Sequence, residues 1–481
     1  MSIASRVTVA RLSLRGVTPR GVAFGLIVAA AFTLPFEFTK TWFPVSWIEL
    51  SRVFMVGAML VTGWAVMRNR CGLRMTMLLA AAALMIAADL VSRLVHPAAG
   101  TLQDLLAALV YFAFAATVGW NVRHVRQIWV LAMAVLASVA VVAAVAILEE
   151  AFNFYLWDSG VLGVLGRRNS TLADPNVTAR VLSIGLLVLL GVIASRRRWH
   201  WLPLACAAVL AAALGIAEGL TQSRAMWFIT AAALIVWIPL ALCRRFTFVP
   251  MAAFAFSLVA LLMISPSIDS RAATLIPPGL VATSPGPTAG NAGLAPGSTA
   301  GNADSGLAYG PATPIDRLLA AAPLDNVRLY LIRAGVAMWL ANPITGVGFS
   351  GFETAIRGPY WAYVPPDRQS SPVTLPHTDA VRVLAETGLV GFAAYLLFLA
   401  AFALMAIRNL RQAGWRHAMG MALLTIFGII VLASQFEGRF TDEPYLWLLV
   451  GVSFGLPAIH RSRRLAAGQA PVPAAARAST I

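Results

Sequence analysis

The sequence predicts an all-α, polytopic membrane protein with about twelve transmembrane helices and a large outer loop. Three observations carry that reading: a composition 59% hydrophobic and only 12% charged over 481 residues, a series of apolar runs long enough to cross a bilayer, and arginines gathered between those runs. A mean hydropathy of +0.78 leaves too little polar surface for a soluble chain of this length. In a soluble protein a net charge of +16 would suggest nucleic acid. Here many arginines stand in short connections, where orientation in the membrane accounts for them, and no nucleic-acid partner is expected. Lys40 is the only lysine, which fits a bias toward GC-rich codons. Cys71, Cys206 and Cys243 lack metal-ligand spacing and imply no disulfide framework.

Taking apolar runs of about 16 to 22 residues as spans places them near 21–36, 46–66, 73–88, 103–119, 127–148, 177–194, 201–217, 225–242, 248–265, 389–407, 417–434 and 444–459. With the amino terminus in the cytoplasm, Arg6, Arg11, Arg15 and Arg20 face inward. The same holds for Arg68/Arg70/Arg74, Arg123/Arg126, Arg196/Arg197/Arg198, Arg244/Arg245, Arg408/Arg411/Arg416 and Arg461/Arg463/Arg464. Every inner connection is then basic, as the positive-inside rule requires. Val28-Ala29-Ala30-Ala31 imitates a signal-peptide end, but the first span is read as uncleaved. The chain divides into nine spans over 1–265, an outer loop over 266–388, three spans over 389–460 and a cytoplasmic tail over 461–481.

The long outer loop has three parts. Residues 277–314 are built from Gly, Pro, Ala, Ser, Thr and Asn, a composition that buries too little apolar surface to order itself. They are read as a flexible insertion whose removal leaves activity intact. Over 325–341, Val327, Tyr330, Leu331, Ala334 and Met338 recur at helical spacing until Asn342-Pro343 stops the run, predicting a helix on the outer membrane face. Residues 376–388 hold a lone His377 after Pro376, at the entry to a short helix leading into the tenth span.

The outward arginines are the anomaly. Arg224 begins the eighth span and Arg180 lies just inside the sixth, at or below an interface where a charge is costly without a partner. Arg328 stands on the external helix. A neutral imidazole can take a proton from a hydroxyl and guanidinium groups can hold a departing phosphate, so His377, Arg224 and Arg328 are the catalytic candidates. Arg382 and Glu386 are four apart, where an ion pair is the plainer expectation. Were His377 helical, Arg382 would stand about 140° around from it, against a shared pocket. Asp174-Pro175 reads as a helix start, and Arg168 and Asn176 beside it suit an anion such as diphosphate. Glu437, Arg439, Asp442 and Glu443 before the last span are expected to form a solvated interfacial cluster. No His, Cys or carboxylate set has metal spacing, so neither metal nor cofactor is expected.

These pieces, over roughly residues 165–460, resemble the O-antigen ligase and O-antigen polymerase superfamily of bacterial inner-membrane proteins. His377-Thr378, nine residues and Gly388-Leu389-Val390-Gly391 are similar to the family's His-[Asn/Ser/Gln]-X9-Gly-X-X-Gly pattern, with Thr378 departing from it. Ser223-Arg224, Arg328 through Asn342-Pro343-Ile344-Thr345-Gly346-Val347-Gly348, and Arg168 to Asp174-Pro175-Asn176 resemble its other motifs, in the same order. The resemblance implies a metal-independent, inverting glycosyltransferase of the GT-C-like membrane class, acting at the periplasmic face on an undecaprenyl-diphosphate-linked glycan. Its ligase form uses lipid A-core as acceptor. Arg168, Asn176, Arg180 and Arg382 are then substrate-binding candidates. Polymerisation of O-antigen or exopolysaccharide and protein O-glycosylation stay open, as does a transporter, although charges gathered at the outer interface rather than mid-membrane favour surface chemistry.

Overall fold

The computed structural model describes residues 18–466 apart from positions 44, 46–47, 70–75, 158–166, 196–198, 244, 265–325, 367–368, 370–373, 375, 413–414 and 439. The 277–314 segment, the residues beyond 466 and several inner-loop arginines, among them Arg6, Arg70 and Arg197, lie outside the described residues. Fourteen α-helices are described: α1 (Pro19–Thr33), α2 (Leu50–Asn69), α3 (Met77–Val95), α4 (Leu102–Asn121), α5 (Val125–Phe152), α6 (Pro175–Ala194), α7 (Trp201–Leu220), α8 (Arg224–Cys243), α9 (Phe248–Ile264), α10 (Asn326–Ala341), α11 (Phe352–Arg357), α12 (Asp379–Leu410), α13 (Trp415–Glu437) and α14 (Pro444–Ala466). Each expected span coincides with one of them. Eight (α2 to α7, α12 and α13) are long and apolar enough to cross a membrane, while α1, α8, α9 and α14 carry shorter apolar stretches. This is a multi-pass membrane protein, all-helical among the described residues.

Local chemistry sets several helix starts. Thr18, Thr76 and Thr101 each turn a side-chain oxygen onto an otherwise unpaired amide of the first turn of α1, α3 and α4. Asp174 does the same for α6, accepting from the Asn176 amide at 2.8 Å, with Pro175 in the first helical position. One departure from the expected spans is α3, which continues to Val95 although the apolar run closes at 88. Asp89 and Arg93 interrupt the hydropathy there, yet Asp89 is buried and α3 packs along α12, so protein contact replaces lipid contact.

The most enclosed helix is α6, lying against α5, α7 and α13. Elsewhere α1 pairs with α2, α4 with α14, and α7 with α9. Gly451 of α14 shows how closely such pairs approach, since a Cβ there would meet Val118 and the Ala115 carbonyl of α4 within 2.7 Å. Between α12, α13 and the following turn, Phe402 stacks on Phe427 at 4.1 Å, and Phe398 and Phe440 close the layer edge-on.

The six connections expected on the outer side do gather at one end of the bundle. Thr171 Oγ1 donates to the Pro35 carbonyl at 2.7 Å, joining the α5–α6 connection to the α1–α2 one. Arg167 Nε donates to the Thr221 carbonyl at 2.9 Å, reaching the α7–α8 turn. Ser350 Oγ, before α11, donates to Asp104 at the start of α4. The Pro376 carbonyl lies against Gly438 of the α13–α14 turn. Positive-inside arithmetic and tertiary contacts therefore divide the connections in the same way.

Candidate active site

The site is assembled around a break in α12. Gly388 has φ 63 and ψ −161, which separates a short helix over 379–387 from the long apolar helix that follows. A break of this kind frees backbone groups on both sides. The turn after α10 satisfies them: the Val347 and Gly348 amides donate to the Ala385 and Glu386 carbonyls at 2.9 and 3.0 Å, and the Leu389 and Val390 amides donate to the Pro343 and Ile344 carbonyls at 2.9 and 3.3 Å. Asn342-Pro343-Ile344-Thr345-Gly346-Val347-Gly348 and Gly388-Leu389-Val390-Gly391 are thus hydrogen-bonded halves of one junction. A Cβ on Gly388 would stand 2.3 Å from the Ile344 carbonyl oxygen, and one on Gly346, φ 67, 2.4 Å from that of Ala385. Only glycine fits at either place. Ser92 Oγ of α3 adds contacts to the Thr345 and Glu386 carbonyls at 2.9 and 2.7 Å.

The helix α10 caps this junction. Tyr330, Leu331, Ala334 and Met338 form a small core with Phe352, Ile356, Tyr363, Val364 and Ala385, so the apolar stripe of α10 is covered by protein. Packing of α10 on 379–387 brings Arg328 and His377 together at one tight hollow, with no room for a water molecule as it stands, shared with Leu331, Ile332, Pro376, Thr378 and Val381. Both are half-buried. The Arg328 guanidinium also stands over the Phe436 ring, 5.2 Å from its centroid. His377 precedes the helix, whose N-cap is Thr378, so the angular argument that set it apart from Arg382 does not apply.

The wall behind His377 is the turn between α13 and α14. Gly438, φ 68, has no room for a Cβ against the Pro376 carbonyl. Arg382 reaches across to this turn, Nη1 donating to the Gly438 carbonyl at 2.7 Å and standing 3.6 Å from Asp442, while its Nε pairs with Glu386 at 3.3 Å as the spacing predicts. From the other side, fully buried Arg180 of α6 pairs with Glu437 at 2.9 Å and Glu443 at 2.7 Å. The solvated cluster expected here needs correction. Arg439 lies outside the described residues, and of the other three only Asp442 is substantially exposed; the Glu437 and Glu443 side chains are 4% and 2% exposed, because Arg180 neutralises them inside the bundle.

Arg168, Asn176 and Arg224 border a second place at the same end. The Arg168 amide donates to the Leu220 carbonyl, and its buried guanidinium pairs with Glu150 at 2.7 Å and covers Tyr155. Asn176 accepts from Arg167 Nη2 at 2.7 Å. Half-buried Arg224 opens α8 directly after the 220–223 turn to which Arg167 and Arg168 are bound. Below that turn the Glu218 carboxylate accepts from Ser183 and Thr230 at 3.0 and 2.9 Å. Four of the seven candidates (His377, Arg328, Arg382 and Arg180) therefore meet around the 437–443 turn, and three stand around the 218–224 turn.

Two features escaped the sequence reading. One is Gly438, which no motif marked. The other is a charged cavity of about 720 Å³ containing Lys40, Arg52 and Arg180. Its signal was available, since Lys40 is a cation on the outer side, against the positive-inside pattern. An apolar cavity among α5, α6, α13 and α14 reaches from Tyr445 to Val125, Ser195 and Trp415 and is lined by no histidine, carboxylate or cation. Among the described residues no cluster of three metal-binding side chains occurs.

Residues 209–396 match the sequence model of the family described as O-antigen ligase, a segment that includes Arg224, Arg328, His377 and the whole α10–α12 junction. Among curated proteins none matches this chain.

Proposed function

Because the chain belongs to the O-antigen ligase/polymerase superfamily, we propose that it is an inverting, metal-independent glycosyltransferase of the bacterial inner membrane with its site facing the periplasm. It moves a glycan from undecaprenyl diphosphate to a hydroxyl of lipid A-core. The observation that carries this reading is the juxtaposition of His377 and Arg328, one proton acceptor beside one phosphate-binding fork.

His377 takes the proton of the acceptor hydroxyl as its oxygen bonds to the anomeric carbon of the donor. The bond from that carbon to the diphosphate breaks on the opposite face, and undecaprenyl diphosphate leaves with the electron pair. Arg328 and Arg224 neutralise it, the kind of charge stabilisation that commonly dominates catalysis. Direct displacement inverts the anomeric centre. Base catalysis of this type contributes about 10²–10⁴-fold. Arg382 and Arg180 fix the 437–443 turn that backs His377, and Arg168 and Asn176 border the approach to Arg224.

The polymerase branch shares these residues and differs in acceptor, so the test must read the product. A deletion strain is complemented with wild type or His377→Ala and its surface glycans are profiled. Lipid A-core without O-chains in the alanine strain, with long lipid-linked glycan accumulating, is the expected result. Cores carrying a single repeat would reassign the protein as an O-antigen polymerase. Intact lipopolysaccharide with lost secreted polysaccharide would make it an exopolysaccharide polymerase, and full rescue by the alanine variant would remove His377 from the chemistry.

A further inference from the structure

The cavity beside Lys40 is not used by the transfer step, yet it shares a wall with the site. It lies where the α1–α2 connection, α2, α4, α6 and the α13–α14 turn converge, and Asp442 and Glu443 of that turn line it. The same turn presents Gly438 to Pro376 and holds Arg382.

Its charge composition selects the ligand. Three cations, Lys40, Arg52 and Arg180, face four carboxylates, Glu37, Glu49, Asp442 and Glu443. Each carboxylate already has a cation within 4 Å: Glu37 and Glu49 have Lys40, Glu49 also has Arg52 at 3.4 Å, Glu443 has Arg180 at 2.7 Å, and Asp442 has Arg382 at 3.6 Å. The set is balanced pair by pair and slightly negative overall. A diphosphate, which offers only acceptors, would be repelled by the carboxylates. A free metal ion would compete with cations already in place. A saccharide suits the wall, because every hydroxyl both donates and accepts and so can join a carboxylate to a neighbouring guanidinium or ammonium. Tyr111, whose hydroxyl accepts from Arg52 Nη2 at 3.1 Å, completes the wall and orients that guanidinium.

We infer that the cavity lined by Lys40, Glu49, Arg52, Tyr111, Arg180 and Asp442 is a saccharide subsite, which holds sugar residues of a reacting glycan on the far side of the 437–443 turn from His377. The inference rests on the transferase reading for its purpose but not for its test. The sugars come from the acceptor core or from the donor glycan, and binding measurements separate the two.

Full-length protein in detergent is titrated by saturation-transfer NMR with two probes, deacylated lipopolysaccharide core oligosaccharide and the lipid-free repeat released from donor by mild acid. Glu49→Gln keeps the side-chain shape and removes a charge. Tyr111→Phe removes one hydroxyl and disturbs folding least, so it keeps the test open if the first variant melts early. At least tenfold weaker binding in Glu49→Gln, and about threefold in Tyr111→Phe, is expected for one probe and not the other. Loss confined to the core oligosaccharide assigns the subsite to the acceptor, and loss confined to the repeat assigns it to the donor. Unchanged binding of both probes in folded variants, or no binding to wild type, would overturn the subsite. Because binding is read without turnover, a wild type that binds sugar and transfers nothing would remove the transferase reading and leave the subsite standing.

Discussion

Arg180 and Arg328 were marked in the sequence by the same signal, a cation on the side of the membrane that arginines avoid. Their surroundings give them opposite vulnerabilities. Arg180 is fully buried between Glu437 and Glu443, so Arg180→Leu removes the cation that both buried carboxylates share. Breaking a buried pair from one side costs about 3–5 kcal/mol, and the variant is expected to melt well below wild type in detergent and to accumulate poorly in the membrane. Arg328 is half-buried and holds a ring contact to Phe436 worth below about 2 kcal/mol. Arg328→Ala is expected to melt within a few degrees of wild type while transfer falls on the order of 10²-fold, the scale of losing one preorganised charge donor. Equal melting losses in the two variants would contradict this division. Sequence reasoning could find both residues because charge placement is a one-dimensional signal. It could not see that Glu437 and Glu443 are the partners of Arg180, since those residues lie more than two hundred positions away and look like ordinary solvated acids.

At the scale of elements, the motifs were legible and their relation was not. Asn342-Pro343 stopping a helix and Gly388 opening a span are each readable from local chemistry. That the first supplies the hydrogen bonds the second leaves open is a contact across some forty residues, which no periodicity encodes. The junction anchors the segment that follows His377: the helix 379–387 behind it is tied by two backbone hydrogen bonds to the turn after α10, and the helix beyond Gly388 by two more. Gly388→Ala puts a methyl group into the Ile344 carbonyl and strains a left-handed residue, with an expected loss of about 1–3 kcal/mol. Because the opening is local, hydrogen exchange should accelerate first at the amides of Val347, Gly348, Leu389 and Val390, with α6 unchanged, and transfer should drop with them. Acceleration spread evenly over the bundle would show that the junction is not a separate unit. The helix α10 teaches a related lesson: the apolar spacing of Tyr330, Leu331, Ala334 and Met338 correctly gave a helix, but spacing cannot say whether an apolar face meets lipid or protein, and here it meets Phe352 and Ile356.

For the whole molecule, the arginine count sorted the connections into two sets, and the tertiary contacts join one of those sets into a continuous surface. That surface holds both the His377 hollow and the saccharide cavity, so the side on which it lies decides which glycans can reach either. Neighbour relations were out of reach of the sequence: α6 runs through the centre and α14 packs on α4 because small residues permit close approach, and neither fact follows from chain order. Orientation can be tested without reference to activity. In a background with Cys71, Cys206 and Cys243 changed to serine, Glu353→Cys places a thiol at an exposed position of α11, beside the junction, and Arg411→Cys places one at the exposed end of α12. In intact cells a membrane-impermeant maleimide should label the first within minutes and reach the second only after permeabilisation. The reverse pattern would put His377 and Arg328 in the cytoplasm. There the positive-inside reading would fail for every connection at once, and a transfer onto outward-facing acceptors would have no access to its base.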